Sequence, residues 1–263
     1  MKIESLDFVS NPLVSVVLCA MNREKTIAQT IDCILAQQCN FPFELVIGED
    51  CGSDNTRDIC IEYQKKYPEK IKLILHEENC GLGKNWAILV QEAKGKYVAS
   101  CDDDDYWHNL SKLQMQVDYL DSHPACGVVH TEKDELDVRN NQLTVNYYKS
   151  KHTHIPQGFI MKEIFSGKAL ICVSTCMFRK DLVNKHVPLD DYIKFKYNIQ
   201  DWQTWVILAK YCEINYIPVS TTTYRVGYES VSNPLQYDKI EDRFAKEQLM
   251  YKYLCDRFPE DLT

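Results

Sequence analysis

The chain has 263 residues, 45% of them hydrophobic and 26% charged, and its 38 acidic against 30 basic side chains give a net charge of −8. That balance excludes the disordered, collagen-like and fibrous classes, and the length is enough to bury a core without disulfide or metal staples. An acidic chain lacks the lysine and arginine excess that neutralising phosphates requires, so no nucleic acid is expected as a partner.

Residues 1–15 do not follow the charged-then-apolar order of a secretory signal, and no apolar run approaches the roughly 18 residues of a membrane span. The twelve cysteines are scattered, with no C-x-x-C pair. Cys172 and Cys176, four apart, would share a face only in a helix. The expectation is reduced, mostly buried thiols, no structural zinc and a cytoplasmic location.

In chain order, Val14 to Cys19 reads as a buried strand, followed by Ile27, Ile31, Ile34 and Leu35 at helical spacing. Phe43 to Ile47 is a second strand, Thr56 to Tyr67 a helix, Ile71 to His76 a third strand, Lys84 to Ala93 a helix and Lys96 to Cys101 a fourth strand. This alternation predicts an α/β fold, Rossmann-like, with a mainly parallel open sheet flanked by helices. Ligands of such sheets bind beyond the carboxyl ends of the strands, which directs attention to Ala20–Glu24, Glu49–Asp54 and Cys101–Trp107. Further on, a helix is predicted over 110–122, ended by His123-Pro124, and a short strand over 126–130. Residues 132–157 are polar and tyrosine-bearing and read as a long loop or hairpin. A strand-like stretch over 171–178, a helix over 202–211, a strand over 213–218 and a terminal helix over 239–258 complete the chain. No repeat or low-complexity linker interrupts it.

Two phosphate-binding fingerprints fail. Gly81-Leu-Gly83-Lys-Asn-Trp86 opens like a dinucleotide motif but has Trp in place of the third glycine and follows the third strand, not the first. Glu78 and Asn85 stand where a P-loop needs Gly and Ser or Thr. A turn that caps a helix is the plain alternative, with Lys84 still able to serve a phosphate. The stretch Cys101-Asp102-Asp103-Asp104-Asp105-Tyr106-Trp107 carries more information. Four adjacent carboxylates repel one another and raise each other's pKa, and a divalent cation relieves that penalty. Mg²⁺ or Mn²⁺ suits such hard oxygen ligands and keeps positions open for substrate phosphates. A solvated acidic loop is the alternative; the strand before it and Tyr106-Trp107 after it weigh against that reading. Glu49-Asp50 ends the second strand, where carboxylates can accept hydrogen bonds from a base imide or a ribose hydroxyl. Capping by Ser53 or Asp54 explains the residues that follow but not the acidic pair.

Taken together, these motifs resemble a family 2 glycosyltransferase of the GT-A fold. The likeness runs through Pro12–Glu24, Val46–Thr56, Asn79–Gly81, Gly95–Trp107 and Lys112–Gln116. It covers residues 12–122 strongly and continues more weakly to about 232. It implies that Ala20, Asn22 and Glu24 flank the nucleotide base, that Glu49 and Asp50 read uracil and ribose, and that Lys84 lies near the nucleotide. Asp102-Asp103-Asp104 matches the D-x-D element. Asp104 would hold the metal with Asp102 contributing, and Asp102 and Asp103 would face the ribose or the metal's water shell. Gln200-Asp201-Trp202 matches the family's Glu-Asp element, making Asp201 the candidate base and Trp202 a candidate for the acceptor pocket. Residues 224–232 resemble a loop that closes over the donor. The departures are Glu49 for Asp, Gln200 for Glu, and Gly227 where many relatives carry a histidine ligand. The implied organisation is a nucleotide-sugar half over 1–125, an acceptor half with the base over 126–236, and a C-terminal helix over 237–263.

The expected activity is inverting, metal-dependent transfer from a nucleotide-sugar donor, a UDP-sugar first, to a glycan or lipid-linked acceptor in surface polysaccharide assembly. The expected cofactor is Mn²⁺ or Mg²⁺. A sugar nucleotidyltransferase would want a glycine-rich loop where Ala20–Glu24 has none. A non-catalytic nucleotide-sugar-binding protein would need no base at Asp201. Tyr147–His152 and Lys194–Tyr197 mix aromatic and basic residues and could meet a lipid-linked acceptor at the inner face of a membrane, or be solvated loops.

Overall fold

Short apolar runs rich in Val, Ile and Leu, each followed by a helix-period segment, build the first half of the sheet. The structure, a computed structural model, describes residues 2–3, 11–195, 200–228 and 236–262. Its strands are β1 (Lys2–Ile3), β2 (Val14–Ala20), β3 (Phe43–Glu49), β4 (Ile71–Leu75), β5 (Tyr97–Asp102), β6 (Tyr106–Trp107), β7 (Cys126–Asp137), β8 (Gln142–Thr144), β9 (Met177–Arg179) and β10 (Glu213–Val226). They form one sheet in the order β1-β4-β3-β2-β5-β9-β7-β10-β6, with β8 on β7. β4, β3, β2 and β5 run parallel, and their register places Ala20 beside Glu49 and Cys19 beside Asp102, so three strands deliver their last residues to one edge.

Helices Ile27–Leu35, Thr56–Lys66 and Lys112–Ser122 cover one face, where Val16, Leu18 and Leu45 meet Ile27, Ile31 and Ile34. Helices Leu82–Glu92 and Asp201–Leu208 cover the other, where Val17 and Val46 meet Trp86, Leu89 and Trp205. Trp205, Val206 and Ala209 form the buried stripe that helical spacing implies. Gly95 is required by crowding: a Cβ there would lie 2.5 Å from the Ser15 backbone nitrogen. All twelve cysteines are free thiols. Among the described residues no helix is long and apolar enough to cross a membrane.

The second half departs from the sequence expectation. β7 does not stop at His130 but continues through Glu132, Lys133 and Asp134, all buried. β10 continues past Pro218 to Val226; the register shifts between Ile217 and Ser220, a bulge that accommodates a residue without an N–H. The stretch 171–178 is no single strand: Val173–Thr175 is a 3₁₀ turn and only Met177 and Phe178 join β9. Cys172 and Cys176 therefore flank a turn, not a helix. Of the loop or hairpin expected over 132–157, the hairpin is present, β7 turning back into antiparallel β8 before a helix at Tyr147–Ser150; helices Met161–Phe165, Lys180–His186 and Leu189–Phe195 were not anticipated. Residues 196–197 of the aromatic-basic segment, and 229–232 of the donor-closing loop, lie outside the described residues.

Candidate functional site

The loops after β2 and β3 are bonded to each other before they meet any ligand. Ala20 O accepts the Asp50 N–H at 2.9 Å. Asn22 Oδ1 accepts Ser53 N–H at 2.7 Å, and Glu24 Oε2 accepts Asn55 Nδ2 at 2.8 Å. Asp54 accepts the amides of Glu24 and Thr56, tying the two loops together just ahead of the helix, whose N-cap residue Asn55 makes no side-chain cap bond. Glu49, with no exposed surface, receives the Gly52 amide at 2.7 Å on Oε1 and the Arg57 guanidinium at 2.5 Å on Oε2. Asp50 accepts the amides of Cys80 and Gly81 at 2.7 and 2.9 Å and thereby holds the loop that starts the Lys84 helix. The acidic pair thus anchors both neighbouring loops, a structural role beside the nucleotide-reading one that the resemblance implies.

The acidic run sits at the end of β5 and divides its labour. Asp105 is fully buried; its Oδ2 accepts the Ser174 hydroxyl at 2.6 Å and its Oδ1 the Arg225 amide at 3.0 Å. Asp103 accepts the Met21 amide at 2.9 Å. Burial, then repulsion from Asp104, pushes Asp103 up to about 8 and Asp105 up to about 7. Burial, followed by Asp105, Asp104, Asp103 and Asp201, raises Asp102 well above the usual carboxylate range. Asp104 receives Arg23 Nε at 3.1 Å and the Tyr228 hydroxyl. Arg23 also lies 3.4 Å from Asp103; these two carboxylates outweigh burial and raise the guanidinium pKa. Arg23 is absent from the sequence-derived candidates because its partners stand some 80 positions away, a pairing that no local spacing displays.

Asp201 opens the helix Asp201–Leu208, and burial raises its pKa. Its carboxylate is among the charges that raise the pKa values of Asp102 and Cys176. Trp202 follows Asp201 on this helix and is partly buried. Its indole N–H donates to Ile164 O at 3.0 Å, and its ring packs on Phe165 and Tyr251, 6.0 and 4.6 Å between centroids, which commits it to holding helices together. Lys84 is half-buried in the first turn of its helix, close enough for its charge to act on Cys80. Gly227 has φ +100°, a left-handed conformation that disfavours the histidine many relatives carry. A second missed residue is Lys133 on β7, whose ammonium lies 4.0 Å from the Tyr224 ring centroid and 4.6 Å from that of Tyr147.

Two places have ligand types suited to a metal. Asp50, His76 and Cys80 have ligating atoms within 4.8 Å of one another. That cluster is already consumed: Asp50 holds two amides, His76 Nε2 pairs with Asn85 Oδ1 at 3.0 Å, and burial with Asp50 pushes the Cys80 thiol up to about 12. The acidic loop fits better. Among the described residues nothing donates a hydrogen bond to the Asp102 carboxylate, and Asp104 adds a second hard oxygen donor, the set that Mn²⁺ or Mg²⁺ prefers.

Residues 15–187 match the profile of glycosyl transferase family 2. A beta-1,3-glucosyltransferase of Escherichia coli, WfgD, named for UDP-Glc and alpha-D-GlcNAc-diphosphoundecaprenol, is 32% identical over 84% of this chain and 80% of its own length. S. aureus TarS, solved with UDP-GlcNAc, superposes with a TM-score of 0.62 at 19% identity, over 90% of this chain and 65% of TarS. The mannosyltransferase PcManGT of Pyrobaculum calidifontis, solved with GDP-Man and Mn2+, gives 0.63 at 13% identity, over 100% of this chain and 80% of PcManGT. Both structures share the fold with this chain. Uncharacterized mycobacterial relatives are 39% identical over 114 residues, and the chain spans 33% of their length.

Proposed function

The chain belongs to glycosyl transferase family 2, and from that premise we propose that it transfers a sugar from a UDP-sugar to a hydroxyl of a glycan or lipid-linked acceptor in surface polysaccharide assembly, with inversion. What supports the reading is the pair Asp102 and Asp104 in the loop that ends β5, with Asp201 among the charges that act on Asp102. Among the described residues nothing donates a hydrogen bond to the Asp102 carboxylate, Asp104 offers a second oxygen ligand, and burial raises the pKa of Asp201. The donors bound by TarS and PcManGT and the lipid diphosphate in the name of WfgD support the same class of substrates. Residues 1–125 would supply the donor half and residues 126–236 the acceptor half, working at the cytoplasmic face of a membrane when the acceptor is lipid-linked.

In this reading Ala20, Asn22, Glu24, Glu49 and Asp50 frame the nucleoside, with Lys84 and Asp103 beside it. Asp104 and Asp102 would hold a divalent cation, which when bound supplies electrostatic stabilisation to the leaving diphosphate. Arg23 lies against Asp103 and Asp104, where it would compete with the cation for those carboxylates. Asp201 takes the proton of the acceptor hydroxyl as that oxygen attacks the anomeric carbon; a base whose pKa is raised by burial is better matched to that task near neutral pH. The test is calorimetric titration of UDP with Mn²⁺, with EDTA and with Asp104→Ala, joined to turnover by Asp201→Asn. Metal-dependent binding lost in Asp104→Ala, and a turnover loss of about 10²–10⁴-fold in Asp201→Asn with UDP affinity unchanged, are the expected results. Binding of GDP or dTDP in place of UDP would reassign the donor. Transfer by Asp201→Asn at the unaltered rate would remove Asp201 from the mechanism.

A further inference from the structure

The turn that carries Asp102 and Asp104 is clamped at both ends by a single hydroxyl. Ser174 Oγ accepts the Asp102 amide at 3.0 Å and donates to Asp105 Oδ2 at 2.6 Å. The Asp105 amide in turn donates to Asp102 O at 3.2 Å, which closes residues 102–105 on themselves. Ser174 and Asp105 have no exposed surface. The second Asp105 oxygen is met by the Arg225 amide at 3.0 Å, so this carboxylate is spent on protein donors, unlike that of Asp102.

The clamp is itself held from three sides. Ser174 O accepts the Trp107 indole N–H at 2.8 Å and the Thr222 hydroxyl at 3.2 Å, which pins the 3₁₀ turn that presents the serine. Thr26 donates to Asp103 O at 2.9 Å and Thr30 to Asp105 O at 2.7 Å. The Arg225 guanidinium donates to Asp104 O and to Gln29 Oε1 and lies 4.8 Å from the Tyr106 ring centroid. Four adjacent carboxylates repel one another and would open such a turn if left alone. Its shape is imposed by residues distant in sequence, and Arg225 grips the backbone of Asp104 itself.

Divalent ions differ in what they ask of a turn. Mg²⁺ demands near-ideal octahedral geometry at about 2.0–2.1 Å, whereas Ca²⁺ accepts about 2.3–2.6 Å in flexible arrangements. We propose that Ser174 and Arg225 are positioning residues that hold the turn bearing Asp102 and Asp104 in one shape and thereby make the site prefer Mg²⁺ to Ca²⁺. Both act through the aspartates and neither is assigned a contact with substrate. The inference rests on the metal-dependent reading above and adds to it the residues that set which ion is taken.

The experiment titrates UDP by calorimetry into the whole protein with Mg²⁺, with Ca²⁺ and with EDTA. The readout is the ratio of UDP affinities with the two ions, which a merely structural loss would leave unmoved because both affinities would fall together. The wild-type chain is expected to bind UDP at least tenfold more tightly with Mg²⁺ than with Ca²⁺. Ser174→Ala should lower that ratio at least fivefold, chiefly by weakening binding with Mg²⁺. Arg225→Lys keeps the charge but not the planar fork that spans Asp104 O and Gln29 Oε1, and should lower the ratio at least twofold. This half-buried position keeps the test open if Ser174→Ala does not fold. A wild-type chain without preference between the ions, or variants with the wild-type ratio, overturns the proposal. Wild-type binding of UDP that is the same in EDTA as with either ion would instead remove the metal reading, and this inference with it.

Discussion

Lys112→Met tests the packing beneath the acidic loop through the pH dependence of stability. Lys112 has no exposed surface; its ammonium donates to Gln116 Oε1 at 2.6 Å and lies 4.3 Å from the Trp107 ring centroid. Burial pulls its pKa down to about 8, against about 10.4 in an unfolded chain. Below pH 8 both states carry the proton, and the folded protein bears the whole cost, about 3 kcal/mol at ~1.4 kcal/mol per pH unit. Between 8 and 10.4 the unfolded chain binds more protons than the folded one, so this contribution raises stability as pH rises. Methionine removes the charge at similar length but leaves Gln116 Oε1 without its donor, a loss of about 1–3 kcal/mol. The net change at pH 7 is therefore small, about 1 kcal/mol in favour of the variant. The informative quantity is the difference between the two proteins across pH. Thiols such as Cys60 and tyrosines such as Tyr224, raised by burial and not acted on by Lys112, lower the stability of both proteins as pH climbs, and they cancel in that difference. Urea unfolding at pH 7.5 and 9.5 should show the variant losing about 2 kcal/mol relative to wild type. A difference that stays flat across this range would refute the buried-ammonium argument.

Two further outcomes follow from the site. Removing Arg23 frees Asp103 and Asp104 from a half-buried cation; such pairs contribute about 0.2–1 kcal/mol each, so Arg23→Ala should lower the Mn²⁺ concentration for half-maximal UDP binding two- to fivefold. An increased Mn²⁺ requirement would instead make Arg23 a partner of the diphosphate. Because burial raises the Asp201 pKa and the base acts ionised, turnover should fall as pH drops through a value above the usual carboxylate range. A kcat profile flat down to pH 4 would count against Asp201 as the base.

The parallel half was legible because its strands are mainly apolar and β3 and β5 stop at the carboxylates Glu49 and Asp102. Ala20, Glu49 and Asp102 stand at strand ends in sequence and in space. The second half was less legible because β7 and β10 carry polar residues inward. Glu132 and Asp134 look like loop residues until the partners that bury them are known: Tyr216 for the first, Ser220 and the Asn146 amide for the second. Pro218 reads as a stop, but a bulge lets the strand pass it. Ile171–Phe178 is apolar enough for a strand, and only its contact with Asp105 explains why Ser174 sits in a turn. Arg23 escaped notice because it is defined by partners distant in sequence.

The position of β10 has a consequence for how the chain is made. It is the last of the described strands, yet it lies between β7 and β6 and pairs with residues from Tyr106 to Asp137. A nascent chain can pair β2, β3, β4 and β5 once residue 102 has left the ribosome, but the β5 edge waits for Met177–Arg179 and β7 waits for Glu213–Val226. At roughly 5–20 residues per second, translation leaves those edges open for on the order of ten seconds. Unpaired strand edges are templates for pairing with other chains. The connection that brings the acceptor side of the sheet against the acidic loop therefore also gives newly synthesised molecules a period of exposure to aggregation, during which a holdase chaperone has a defined edge to protect.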